Sequence, residues 1–347
     1  MPPLKALLIA DNRPGHVALA EGILAAIARR RDLNIVRLDV QRPRYVPARL
    51  LSALTNRHTD PATILRRVYG VAPASLPKAG LIVSAGGDTL AANIACARLL
   101  GGAPNLFYGS LRRFKPEDFT LVLNSYARYA DHPKYLVTLK PNKLDPDDVG
   151  VVPFDLSKPL QTAGLLLGGD TPTMNFDAAA WQRIADFVSA TCAGHGTRWI
   201  ISNSRRTPAA ASDLFAALAT GSHGPGGASS PVERFIDVRQ GGSGTLRALF
   251  AASQAIAVTA DSSSMLSEAI WARRPVIALS PDPSGLPADE QDYRNFLIAK
   301  GWTGTIALQD LSPQGWHEAL ARQTPLAGNP LDLLADDLNR RLPHLFT

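Results

Sequence analysis

Short apolar runs recur along the chain, each followed by a glycine-rich or polar turn and then by apolar residues at helical spacing. In the first half, residues 4–10 read as a strand that passes through Asp11-Asn-Arg-Pro-Gly-His16 into a helix over 17–29, with a second strand over 35–38. Residues 80–84 form the next strand, entering Ala85-Gly-Gly-Asp-Thr89 and a helix over 90–100, and strands over 105–108 and 119–123 follow. The pattern restarts after Pro153-Phe-Asp-Leu-Ser-Lys-Pro159 with strand 163–167, turn 168–172, helix 178–191, strand 198–202, turn 203–208 and helix 209–219. A further unit runs from strand 255–259 through a hydroxyl-rich turn into a helix opened by Ser262, Ser263 and Ser264, with another strand after Pro275. Continuous apolar β runs feeding glycine turns and helices predict parallel sheets buried on both faces. The expected fold class is α/β, with two Rossmann-like domains whose parallel sheets face across a cleft. The first covers 1–155, the second 156–330, and a C-terminal helix over 331–347 is free to pack back on the N-terminal domain. The Gly/Ser-rich segment 220–230 interrupts the alternation as a surface loop without chemistry of its own.

The chain has 347 residues, 46% of them hydrophobic and 19% charged, enough for two buried cores. No apolar run approaches the roughly 18 residues of a membrane span. The first ten residues are followed by Asp11, Arg13 and His16 where a signal peptide would need small residues, so they read as a buried strand. The two cysteines, Cys96 and Cys192, lie in apolar helical patterns, which argues against a disulfide framework or a cysteine metal site and fits a reducing cytoplasm.

Charge is uneven: residues 1–150 carry +9 and the remainder −3. The excess lies in Arg29, Arg30, Arg31, Arg37, Arg42, Arg44, Arg49, Arg57, Arg66 and Arg67. Between 49 and 70 the arginines interleave with Leu50, Leu51, Leu54, Ile64, Leu65 and Val68, the composition of one amphipathic helix or a pair. Such a surface is either a solvated basic face or a contact for an anionic membrane, which would make the protein peripheral on the inner membrane. No stacking aromatics accompany the arginines, so nucleic acid is not expected as a partner.

Several residues are candidates for chemistry. The helix opened by Ser262, Ser263 and Ser264 offers amides and a positive dipole end to a phosphate, although one serine would suffice as a plain cap. One turn further on, Glu268 can accept hydrogen bonds from a pair of sugar hydroxyls. Arg205 and Arg206 follow a strand and can clamp a diphosphate or, alternatively, form an interdomain salt bridge. Gly168 and Gly169 let backbone approach a ligand or simply make a tight turn. His16 has the chemistry of a general base, with Asp11 and Asp88 as alternatives and a capping role as the plainer explanation. No HExxH, P-loop, GxSxG or Rossmann GxGxxG motif is present.

Taken together, Gly15-His16, Ser84-Ala-Gly-Gly87, Gly168-Gly169 and Asp261-Ser-Ser-Ser-Met-Leu-Ser-Glu268 resemble the two-domain GT-B glycosyltransferases. The closer likeness is to the ELM1 family, named for a plant mitochondrial fission factor but mostly bacterial. It rests on Asp11-x-Arg-Pro-Gly-His16, Ile201-Ser-x-Ser-Arg-Arg-Thr-Pro208, Val258-Thr-x-Asp-Ser-x-Ser-Met-x-Ser-Glu-Ala269 and Phe296-Leu-x-x-x-Gly301, and it spans nearly the whole chain. Two positions depart from that pattern: Gly242-Ser-Gly-Thr-Leu246 stands where an Asn-Pro-Tyr is expected, and Ala18 where a polar residue is expected. The resemblance implies a GT-B fold, a nucleotide-diphosphate sugar as donor and no other cofactor. It also implies substrate contacts from Gly15, Gly86, Gly87, Ser204, Thr207 and Met265, and makes Glu268 the ribose ligand. The expected activity is a metal-independent glycosyl transfer to an acceptor, soluble or lipid-linked, docked on the N-terminal half. His16 or Asp11 would take the acceptor proton. A non-hydrolysing nucleotide-sugar epimerase and a non-catalytic membrane adaptor are the alternatives.

Overall fold

The computed structural model describes residues 2–150, 152–220, 230–240, 245–281 and 286–347. The segment 221–229 and Gly242 to Gly244, to which the sequence assigned a surface loop and a departure from the family pattern, lie outside the described residues. The chain divides into two compact units, residues 1–143 with 330–347, and residues 144–329.

The N-terminal unit runs β1 (Leu4–Ala10), α1 (Pro14–Ala28), β2 (Leu33–Asp39), α2 (Ala48–Asn56), α3 (Pro61–Tyr69), β3 (Leu81–Ala85), α4 (Leu90–Leu99), β4 (Asn105–Tyr108), β5 (Leu121–Asn124) and β6 (Tyr135–Val137). Its six strands form one sheet in the order β2-β1-β3-β4-β5-β6, and every pairing is parallel. Alternate residues divide between the faces. Leu7, Ile9, Ile82 and Phe107 join the core formed with α2, α3 and α4, whereas Leu8 and Ala10 are buried outside that core.

The second unit runs β7 (Thr162–Leu166), α5 (Ala178–His195), β8 (Arg198–Ser202), α6 (Ala209–Thr220), β9 (Val232–Ile236), α7 (Thr245–Ala252), β10 (Ala255–Thr259), α8 (Ser263–Trp271), β11 (Val276–Ser280), α9 (Ala288–Ala299), β12 (Thr303–Ala307) and α10 (Pro313–Ala321). The sheet order is β12-β11-β10-β7-β8-β9, again parallel throughout. The final helix, α11 (Pro330–Arg341), belongs to the first unit, where Asp332 and Asp336 bind Arg29 and Arg30, just past the end of α1, at 2.8 and 2.9 Å.

Each sheet has one place where the strand order reverses, between β1 and β3 in the first and between β7 and β10 in the second. Chains leaving such a pair of strands depart to opposite sides and leave a crevice beyond their carboxyl ends, where open α/β sheets bind ligands. Asp11 and Gly86 follow the first pair, and Gly168 and Asp261 the second. Among the described residues no helix is long and apolar enough to cross a membrane.

Candidate functional site

At the N-terminal crevice, Pro14 occupies the first turn of α1, where its missing N–H costs nothing. The helix therefore starts three residues earlier than the apolar pattern suggested, and His16 lies within its first turn. Asp11 is buried. Its Oδ1 accepts the Arg13 N–H at 3.1 Å and its Oδ2 lies 2.7 Å from His16 Nδ1. Because a carboxylate only accepts, Nδ1 is the donor in this bond and Nε2 is the ring nitrogen left for another partner. The imidazole is 28% exposed and Nε2 has no partner among the described residues. Gly86, at φ 89°, lies so close that a Cβ there would sit 2.0 Å from His16 Nδ1. The glycine is needed both for its left-handed backbone and for the ring beside it.

The sequence treated Asp11, Asp88 and His16 as rival bases, and the structure gives the three different surroundings. Asp11 orients His16. Asp88 is held by Arg42, Nε to Oδ1 at 2.8 Å, with Arg13 at 3.8 Å, and its backbone carbonyl accepts the Tyr69 hydroxyl. Gly15 has open space around its Cα, and Gly87 lies against the Arg112 guanidinium.

At the second crevice, Gly168 and Gly169 are as tightly constrained. A Cβ on Gly168 would meet Asp261 Oδ2 at 2.1 Å, and one on Gly169 would meet the Arg206 carbonyl oxygen at 2.1 Å. The Asp261 side chain is buried, accepts the Gly169 N–H at 3.0 Å and pairs with Arg206 at 2.8 Å, while its Oδ1 has no partner among the described residues. Burial raises its pKa against these contacts. Thr207 packs its hydroxyl on the Leu167 and Gly168 carbonyls at 2.9 and 2.5 Å and accepts the Ser204 N–H, while Ser204 Oγ accepts the Arg206 N–H. The hydroxyls of Ser204 and Thr207 thus staple the turn after β8 to the turn after β7.

The two arginines also separate. Arg206 is tethered to Asp261 within its own unit, so the salt bridge is not interdomain, and Arg205 is exposed with no ion pair among the described residues. Ser262 caps α8 by accepting the Met265 N–H at 3.4 Å. Ser264 is exposed at the helix start, where first-turn amides have no intrahelical partner. Ser263 and Met265 are half-buried. Glu268, one turn along, is half-buried, and burial pushes its carboxyl up to about 7.

A family model described as mitochondrial fission ELM1 matches residues 14–326. The chain belongs to that family. No curated protein matches it significantly. Among solved structures, MnaA of S. aureus with UDP is 13% identical, at a TM-score of 0.56 over 99% of this chain and 98% of that one. The UDP-GlcNAc 2-epimerase of Methanocaldococcus jannaschii is 12% identical, at 0.56 over 98% and 100%. MurG of Acinetobacter baumannii is 13% identical, at 0.53 over 97% and 100%. At such identities the likeness is one of fold, and this ELM1 chain has the GT-B-like α/β fold of glycosyltransferases and nucleotide-sugar epimerases.

Asp261 is the residue that sequence reasoning passed over in this ELM1 chain, although it stands at the head of the serine motif. The signal for it was Gly168, whose Cβ position is taken up by the Asp261 carboxylate.

Proposed function

We propose that the protein transfers a sugar from a nucleoside-diphosphate sugar to an acceptor hydroxyl, the second unit holding the donor and the first activating the acceptor. The observation that carries this reading is the His16–Asp11 pair at a topological switch point, with Nε2 unengaged. In the reaction the acceptor oxygen bonds to the anomeric carbon as the bond to the diphosphate breaks. The acceptor proton passes to His16 Nε2 while the Nδ1–H stays hydrogen-bonded to Asp11. Negative charge grows on the departing diphosphate, and Arg205 with the first-turn amides of α8 stabilises it there more than in the ground state. Asp261 holds Arg206 at the edge of this site, and Glu268 accepts the ribose hydroxyls. Exposed Arg44, Arg49, Arg57, Arg66 and Arg67, which have no ion pairs among the described residues, bring the first unit to an anionic membrane face.

The reading is supported if the full chain releases nucleoside diphosphate from a nucleotide sugar only when an acceptor is supplied, and if His16→Ala abolishes that release. The fold is also that of UDP-GlcNAc 2-epimerases. Interconversion of UDP-N-acetylglucosamine with its epimer in the absence of acceptor would replace transfer with epimerisation.

A further inference from the structure

Arg29, Arg30, Arg37, Arg42 and Arg98 of the N-terminal unit are each paired with an aspartate. Arg49, Arg112 and Arg113 are not. Their side chains have no ion pair among the described residues, yet all three line one cavity of 250 Å³ together with Ser52, Gly87 and Phe114. No aspartate or glutamate lines it. Three like charges around one unshared space oppose one another unless an anion sits between them.

The backbone holds them there. Arg112 adopts φ 55°, a conformation rare outside glycine. Its guanidinium lies so close over Gly87 that a Cβ on that glycine would be 2.9 Å from Cζ. The preceding glycine bears in the same way on His16, with a Cβ position 2.0 Å from Nδ1. Two consecutive residues of the turn after β3 therefore abut the proposed base on one side and the arginine pocket on the other.

We infer that this pocket binds a phosphate or diphosphate group of the acceptor and so places the acceptor hydroxyl at His16. This rests on the assignment of His16 as the acceptor-activating base. Several guanidiniums, each a planar fork of N–H donors, match the many oxygens and multiple charge of a diphosphate better than the two oxygens of a carboxylate. The same chemistry is found on a soluble phosphate ester and on a lipid-linked one.

Titration calorimetry on the full chain, with UDP present in excess to occupy the donor half, tests this with inorganic pyrophosphate and with farnesyl diphosphate below its aggregation limit. Arg112→Gln/Arg113→Gln is expected to weaken both ligands by about tenfold or more, the worth of a lost charge-assisted contact. Arg66→Gln/Arg67→Gln, which removes the same charge outside the pocket, is expected to bind pyrophosphate like the wild type. Arg112 and Arg113 are exposed and have no ion pair among the described residues, so the variant keeps its fold, and its unliganded melting point verifies this. Tighter binding of farnesyl diphosphate than of pyrophosphate supports a lipid-linked acceptor, and equal binding supports a soluble one. The inference is overturned if the wild type binds neither ligand, if the pocket variant binds both unchanged, or if the Arg66/Arg67 variant loses as much. The thermal shift with UDP alone reports separately on the donor reading, since the pocket arginines take no part in it.

Discussion

If Glu268 accepts the ribose hydroxyls as proposed, nucleotide binding is expected to depend on pH in a way that can be worked out in advance. Burial pushes its carboxyl up to about 7 from 4.5, so the folded protein holds this proton more tightly than the unfolded chain. The stability so contributed is complete below the unfolded value and is lost as pH rises through about 7. At 1.36 kcal/mol per pH unit the difference amounts to about 3 kcal/mol. Glu268→Gln, a neutral isostere, is thus expected to exceed the wild type in stability at about pH 8 by a similar amount and to match it near pH 4.5. A carboxylate that accepts two ribose hydroxyls must be ionised, and at about pH 6 only about a tenth of Glu268 is. UDP-N-acetylglucosamine, which has no phosphate titrating in this range, should therefore bind about tenfold more weakly at about pH 6 than at about pH 8. Glu268→Gln should bind weakly at both. Calorimetry at the two pH values measures the affinities, and urea melts measure the stabilities. A wild-type affinity that is flat with pH, or full affinity in Glu268→Gln, would remove Glu268 from the nucleotide site.

Other perturbations test other parts of the account. His16→Ala should leave nucleotide affinity unchanged and lower transfer by about 10²–10⁴-fold, whereas an equal loss of both would make His16 a donor ligand or a structural residue. Gly86→Ala should destabilise the fold by about 1–3 kcal/mol and depress turnover with the imidazole still present, because the new methyl occupies the place of the ring; normal turnover in this variant, read beside a urea melt, would contradict that geometry. Arg206→Ala strands the buried Asp261 carboxylate and should lower the melting point, while Arg205→Ala should not; equal melting points would show that Asp261 needs no counter-ion. Anionic vesicles should bind the protein at low salt and release it in high salt, with loss on changing Arg44, Arg57, Arg66 and Arg67 to glutamine, and no binding at low salt would mean a solvated face.

The alternation of central strands and helices was legible because strands buried on both faces carry nearly continuous apolar runs, as in β1, β3, β7, β10 and β11. The strands missed, β6, β9 and β12, lie at sheet edges, where outer positions face solvent and break the apolar run, as Glu233 and Arg234 do in β9. The basic excess of the first half was visible, but not its pairing. Arg29 and Arg30 are satisfied by α11, some 300 positions away, which narrows the basic face to the α2–α3 region. Tyr45 and Leu50, both well exposed, lie in that same region. Within the candidate site the glycines, His16, the arginine pair and the serine turn could be read from local motifs. Their division of labour could not, since it depends on contacts such as Gly169 with Asp261, 92 positions apart.

The donor site in the second unit is the central claim, and thermal melting with nucleoside diphosphates tests it most directly. At about 100 times its dissociation constant a nucleotide bound only by the folded state adds about 2.7 kcal/mol, which is several degrees for a protein of this size. The account predicts that UDP or one of its counterparts GDP, CDP and ADP raises the wild-type melting point by that amount, and that Arg205→Ala removes the rise without altering the unliganded melting point. No shift with any of the four nucleotides would contradict it.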